Sequence, residues 1–445
     1  MSTAHSKPAP KPARELVRRL GLFDATMLVM GGIIGTGIFI NPYVVARQVH
    51  TPELILSAWI AGGVIALAGA FIYAELGELL PEVGGQYAYL REAYDPLLGF
   101  LYGWTLLLVI QTGGMAAVTI TFARYFSEVT HVVAPDWLVA LVVIILITTI
   151  NCLGVRAGGS VQSGLMVLKI ACIAAFVIAG LMYVKPPQPS LPALANHARL
   201  PGLISQFGAA MVPVLFAYGG WQTTSFVAGE MKNPVRDLPR GLLLGVIGVI
   251  AIYTAVNFVC LRALGPENLA ATTTPASAVM RAAFGATGGR LIALAIALSA
   301  LGFLSQGILT APRVYFAMAE DGAFFRRIAW VHPTTHVPVY AIVLQSIWTL
   351  VIVFSGTYEQ ILSYVVCMDW VFFGLSASSL FVLRRRGRAK LRVPGHPVTT
   401  IVFCAVCVFI VLNTIYRYPA NTLIAVGILL SGIPVYYLWK RTQSA

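Results

Sequence analysis

Apolar runs of about twenty residues recur along the whole chain, and this recurrence limits the fold more than any other feature. A helix that crosses a bilayer needs about 20 predominantly apolar residues. Twelve such runs can be drawn, at about 22–46, 53–79, 96–126, 136–154, 160–184, 203–230, 240–263, 290–319, 337–355, 358–383, 396–416 and 420–439. Of 445 residues, 58% are AVILMFWYC and 11% are charged, against roughly 45–50% and 25% in soluble domains. The sequence therefore predicts an all-α membrane protein of twelve transmembrane helices. A nucleic-acid binder, a secreted disulfide scaffold and a cytosolic enzyme are excluded.

The formal charge of +13 marks orientation rather than a polyanionic partner. With the amino end inside, the expected cytoplasmic segments carry 20 Lys and Arg, and the outer segments and helix ends carry 8. That bias puts both termini in the cytoplasm. Residues 1–20 run directly into the first apolar stretch and read as a retained cytoplasmic tail. Residues 80–95 (LPEVGGQYAYLREAYD) are amphipathic and expected at the cytoplasmic surface, and residues 264–289 hold a short outer helix. The six cysteines lie in or at the ends of apolar runs, which suits free thiols; Cys404 and Cys407 have CxxC spacing but within a hydrophobic helix. His332 and His336 flank Pro333, so a helical metal pair is not expected, and neither is any cofactor.

Glycine placement then points to a site. The first apolar stretch contains GGIIGTGIF, with Gly31, Gly32, Gly35 and Gly37, and the sixth contains LFAYGGWQ, with Gly219 and Gly220. Glycine costs about 1 kcal/mol against alanine inside a helix, so such clusters suggest interruptions, although Gly31 and Gly35 also have the spacing of a helix-packing motif. Five spans separate the two clusters, an odd number, which inverts the second set in the membrane. Interrupted segments at matching positions of two inverted halves point to a transporter. The implied organisation is helices 1–5 over 21–185, helices 6–10 over 200–390, and helices 11–12 with the carboxyl end over 395–445. Backbone polar groups in hydrocarbon need partners, and an interruption frees several. Donors at a helix N-terminus suit a carboxylate and freed carbonyls suit an ammonium group. An α-amino acid carries both.

The motifs GGIIGTGIFI, FIYAELGELLPEVGGQYAYLREAY and FAYGGWQTTSFVAGEMKNPVRDLPRG, in that order, resemble the amino acid–polyamine–organocation superfamily. The resemblance runs through most of residues 14–390 and is nearest the L-type amino acid transporter branch and its bacterial alanine-serine-cysteine exchanger relatives. It implies a LeuT-type 5+5 inverted repeat with helices 1 and 6 unwound at the midplane. It also implies Na⁺-independent exchange of neutral L-amino acids across the cell membrane by alternating access. Carried over by residue, Ile33, Thr36 and Gly37 would bind the substrate carboxylate and amine, with backbone contacts from Phe216, Ala217 and Gly219. Phe216 would close over the substrate, and Trp221 would line the same region. Thr36 departs from the more usual serine. Residues 127–135 lack the cysteine that bonds animal relatives to a heavy chain, so no covalent partner is expected, and the protein is read as a monomer.

Two ionisable residues fall at membrane depth, where charge is costly and usually functional. Lys169 lies well inside the fifth stretch; the resemblance implies that its ammonium takes the place of a bound sodium against unwound helix 1. Asp369 lies equally deep in the tenth. It either faces the substrate side chain, titrates during transport, or bonds a neighbouring backbone or hydroxyl group. Glu75, Glu230, Arg313 and Arg124 sit near helix ends and read as anchors or gate ion pairs. Gln111, Thr112, Ser305 and Gln306 are further pocket candidates. Proton symport remains the alternative to exchange, and cationic amino acids or polyamines the alternative substrates through Asp369. A channel, a sensor and a membrane enzyme fit less well.

Overall fold

The computed structural model describes residues 20–130, 134–185, 200–355, 358–386 and 391–444. The tail at 1–19 and the loop residues Arg199, Arg388 and Lys390 used in the charge count lie outside them. Among the described residues there is no β-strand, only one isolated bridge between Leu20 and Met231.

Proline starts many of the helices, where its missing N–H costs nothing. Helix α1 spans Leu22–Ile33 and α2 spans Gly37–Val49, followed by α3 (Pro52–Leu79) and the short α4 (Gln86–Ala93). Thr51 caps α3 by accepting from the Leu54 N–H at 3.4 Å. Helix α5 (Pro96–Thr105) is capped by Asp95, which accepts from the Leu98 N–H at 2.8 Å. It continues through a π-helical turn at Leu106–Ile110 into α6 (Gln111–Thr130). Next come α7 (Asp136–Cys152), α8 (Val155–Tyr183) and α9 (Leu200–Tyr218), then a 3-10 segment at Trp221–Glu230. The remainder is α10 (Pro234–Ala271), α11 (Pro275–Thr310), α12 (Pro312–Glu320), α13 (Val339–Ser355), α14 (Tyr358–Leu383), α15 (Val398–Arg417) and α16 (Pro419–Ser444).

By length and composition, nine of the described spans can cross a membrane, or ten if α1 and α2, bent by 41°, make one. Two more apolar helices, α7 and α13, have 17 residues each. At 1.5 Å per residue they reach about 26 Å, short of a hydrocarbon core of about 30 Å. All twelve expected stretches are thus helical, but two fall below full spanning length. The belt they present outward is apolar: Val142, Ile145, Leu412 and Leu423 are all more than half exposed. In water that would be an aggregation surface; in lipid it is the expected exterior.

The connector at 80–95 departs from expectation. It does form a helix, α4, but Gln86, Tyr87, Ala88, Tyr89 and Leu90 are all buried. Tyr87 and Tyr89 are packed into the protein. The expected helix inside 264–289 is the first part of α11, which breaks at Phe284–Gly285, where Gly285 has φ +65°.

Candidate functional site

Both glycine clusters are interruptions. Between α1 and α2 the backbone leaves helical hydrogen bonding at Ile34–Thr36, and after α9 it turns at Gly219–Gly220. Gly220 adopts φ +104°, a region that favours glycine. The two breaks touch: a Cβ on Gly220 would lie 2.1 Å from the Gly32 carbonyl oxygen, and one on Gly32 would lie 2.7 Å from that of Gly220. Side chains at these positions would force the segments apart.

A cavity of about 60 Å³ opens at this junction, and roughly 10–15 Å³ on this measure holds one water. Ile33, Thr36, Gly37, Phe216, Ala217, Gly219 and Asp369 all line it, so residues 184 positions apart in sequence meet as expected. Its apolar walls include Ile110, Phe303, Val365 and Phe373, and its polar groups include Gln111, Gln222, Thr223 and Gln306. Helix α2 points its N-terminus into it. Among the described residues the Thr36, Gly37 and Ile38 N–H groups have no acceptor, and the buried Thr36 hydroxyl has no partner. A helix N-terminus with free N–H groups attracts an anion.

The carbonyls of the break are held from outside. Lys169, 6% exposed, donates from Nζ to the Ile34 carbonyl at 2.5 Å. The Tyr253 hydroxyl stands within hydrogen-bond distance of both the Ile33 carbonyl (2.9 Å) and the Ala217 carbonyl (3.1 Å). It thus ties one break to the other. Gln306 donates to Thr223 Oγ1 at 2.8 Å, and Thr223 donates to the Gly220 carbonyl at 2.7 Å. Asn41 on α2 donates to the Pro213 carbonyl of α9 at 2.7 Å. Asp369 lines the cavity and has neither a hydrogen bond nor an ion pair among the described residues.

Other candidates fall elsewhere. Trp221 does not line the cavity: it is buried behind it, stacked on Phe373 at 4.9 Å and edge-on to Tyr73 at 4.7 Å. The turn at Gly220 sends its indole toward α3, away from the opening. Gln111 and Gln306 do line the cavity. Thr112 instead bonds the Leu107 carbonyl five residues back, at 2.7 Å, within the π-helical turn. Ser305 faces Asn151 at 3.3 Å. Tyr253, Gln222 and Thr223 were absent from the sequence candidates; nothing local distinguishes Tyr253 from a core tyrosine.

Paired charges cluster on the α1 side. Arg313 and Glu230 meet at 2.8 Å with side chains 1% and 8% exposed. Arg384 grips Glu75 through two 2.6 Å bonds, and the Val393 N–H adds a third at 2.8 Å. Arg91 pairs with Asp321 and Glu82. Tyr87 donates to Asp321 at 2.8 Å; burial and then the Asp321 charge hold its phenol above the usual range, so it stays a donor. Leu20 adds backbone bonds to Glu230 and Lys232. Toward α2 the lining continues along α6 to Val118 and along α14 to Val365.

A family model described as amino acid permease matches residues 20–437. The serine/threonine exchanger SteT of Bacillus subtilis (strain 168) is 31% identical over 97% of this chain and 98% of its own length. The human large neutral amino acids transporter small subunit 2 is 27% identical over 95% of this chain and 80% of its own. The human cystine/glutamate transporter is 26% identical over 98% and 88%.

Proposed function

We propose, from the premise that this chain belongs to the amino acid permease family, that it exchanges small neutral L-amino acids across the cell membrane without sodium. It is a multi-pass membrane transporter rather than an enzyme. We read α7 and α13 as spans accommodated by local thinning of the bilayer, which makes twelve in a 5+5 inverted repeat plus α15 and α16. Both termini are then cytoplasmic, the α1 side is the inner face, and the chain works as a monomer without a covalent heavy chain.

The observation that carries the reading is the free N-terminus of α2 at a cavity between two broken helices. The substrate carboxylate takes the N–H groups of Thr36, Gly37 and Ile38, with the Thr36 hydroxyl as a further donor. Its ammonium takes carbonyls around Ile33, Phe216, Ala217 and Gly219. The small cavity supports small side chains, as does the likeness to the serine/threonine exchanger of Bacillus subtilis. Lys169 supports sodium independence, because its ammonium occupies the place beside the Ile34 carbonyl where a cation would bind. Alternating access follows if α1 and the 3-10 segment swing open together. The ion pairs of Glu230 with Arg313 and Glu75 with Arg384 then close the inner face, and Phe216 closes the outer one.

Asp369 favours a second reading, because an unpaired carboxylate in the cavity suits a cationic side chain. Asp369→Asn is expected to leave the rank order of neutral substrates unchanged and to remove any uptake of arginine or lysine; competition against labelled serine in proteoliposomes measures both. A changed neutral rank order would place Asp369 against the neutral side chain instead.

Tyr253→Phe removes one hydroxyl that steadies two breaks. A net hydrogen bond contributes about 0.5–1.5 kcal/mol, so initial exchange should fall roughly 2- to 12-fold while the protein still inserts and purifies normally. An unchanged rate would show that the breaks hold their geometry without this bridge.

A further inference from the structure

A second opening lies on the flank of the bundle, between α14 and α15, with a volume of about 370 Å³. Val371, Gly374 and Leu375 form one wall, and Cys404, Val408 and Val411 the other. These positions recur at helical spacing, so each wall is one stripe of its helix. The helices touch at Gly374, where a Cβ would lie 3.2 Å from that of Cys407, and the crevice opens beside that contact. Trp370, midway along α14, closes its inner end.

Its position says what covers it. Val408 and Leu412 of α15, at its mouth, are 58% and 60% exposed, and both α14 and α15 qualify to span a membrane. The mouth therefore faces hydrocarbon. Toward the α1 side, Tyr94 bonds the Leu375 carbonyl at 3.2 Å and the Ser378 hydroxyl at 2.8 Å. From Ser378 the chain rises about 10 Å to the exposed Arg385 and Arg386. An apolar slot that leads toward two exposed cations matches the layout of an anionic lipid.

We propose that this crevice is a lipid site, taking one acyl chain of an anionic phospholipid whose headgroup lies at Arg385 and Arg386. Trp370 also lines the central cavity and meets Phe373 edge-on at 5.6 Å. One indole thus separates the acyl chain from the transported substrate. A seated chain fixes that wall, and exchange depends on it.

Cys404 supplies the probe. The detergent-purified, delipidated full chain would be treated with N-phenylmaleimide, with and without phosphatidylglycerol, and alkylation of each cysteine followed by peptide mass spectrometry. This readout does not depend on what the protein transports. Cys152, on α7, is the internal reference. At ten times the dissociation constant, Cys404 should react about tenfold more slowly, with Cys152 unchanged. Equal Cys404 rates with and without lipid, or equal slowing of both cysteines, would overturn the site. Val411→Phe, which fills the crevice, should remove both the lipid effect on labelling and the dependence of exchange on anionic lipid; a retained lipid effect would contradict the assignment. A double change of Arg385→Gln and Arg386→Gln leaves the crevice intact. It should abolish preferential protection by phosphatidylglycerol over phosphatidylcholine, and a preserved preference would overturn the headgroup placement.

Discussion

Gly220→Ala is expected to reduce amino acid exchange by on the order of 100-fold or more. Two penalties act together. The residue sits at φ +104°, where a side chain costs about 1–3 kcal/mol. The added Cβ would also lie 2.1 Å from the Gly32 carbonyl oxygen, which is backbone and cannot rotate away. The contact between the two broken helices must open, and with it the cavity that both breaks form. Gly114→Ala is the control. Gly114 lines the same cavity, yet a Cβ there meets nothing within 4 Å. It should keep wild-type exchange of serine and alanine, with poorer acceptance of larger side chains. If Gly220→Ala exchanged normally, the close approach of the two segments would not be needed for transport.

Lys169→Met comes next in expected size. The substitution keeps the apolar stem and removes the ammonium, leaving the Ile34 carbonyl without its donor. An unsatisfied buried carbonyl costs about 1–3 kcal/mol, which corresponds to roughly 5- to 150-fold in rate or affinity. Lys169→Arg should not restore function, since a planar guanidinium does not replace a compact point charge in a fitted site. Initial rates of counterflow, with the amount of inserted protein matched, measure both variants. Wild-type rates for Lys169→Met would remove this residue from the transport machinery.

Much of the site was legible because its signals are local. Gly31 to Gly37 and Gly219–Gly220 suggest helix interruptions by composition and by their matching positions in two halves, and the membrane depth of Lys169 and Asp369 marks them as costly. The cavity at the junction follows once the two breaks pair. The missed residues carry no local mark. Tyr253 lies in an ordinary apolar helix, and its function depends on carbonyls 220 and 36 residues away. Thr223 is mundane until its 2.8 Å bond from Gln306 is seen. Trp221 was misassigned because an aromatic next to a break suggests a lining; the turn at Gly220 decides where the ring goes, and sequence does not specify that rotation. The fold shows the same division. The apolar runs locate the helices, but the burial of α4 comes from neighbours distant in sequence, including Asp321 against Tyr87. The π-helical turn at Leu106–Ile110, which precedes Gln111 at the cavity, has no sequence signature in a run of apolar residues.

The central claim is tested most directly with purified protein in sodium-free proteoliposomes. One set would be loaded with unlabelled serine, another left empty, and uptake of labelled serine, alanine, leucine and arginine followed. The account predicts rapid uptake of serine and alanine into loaded vesicles only, weaker uptake of leucine, and no gain on adding sodium. Equal uptake into empty vesicles, or uptake that requires sodium, would contradict it.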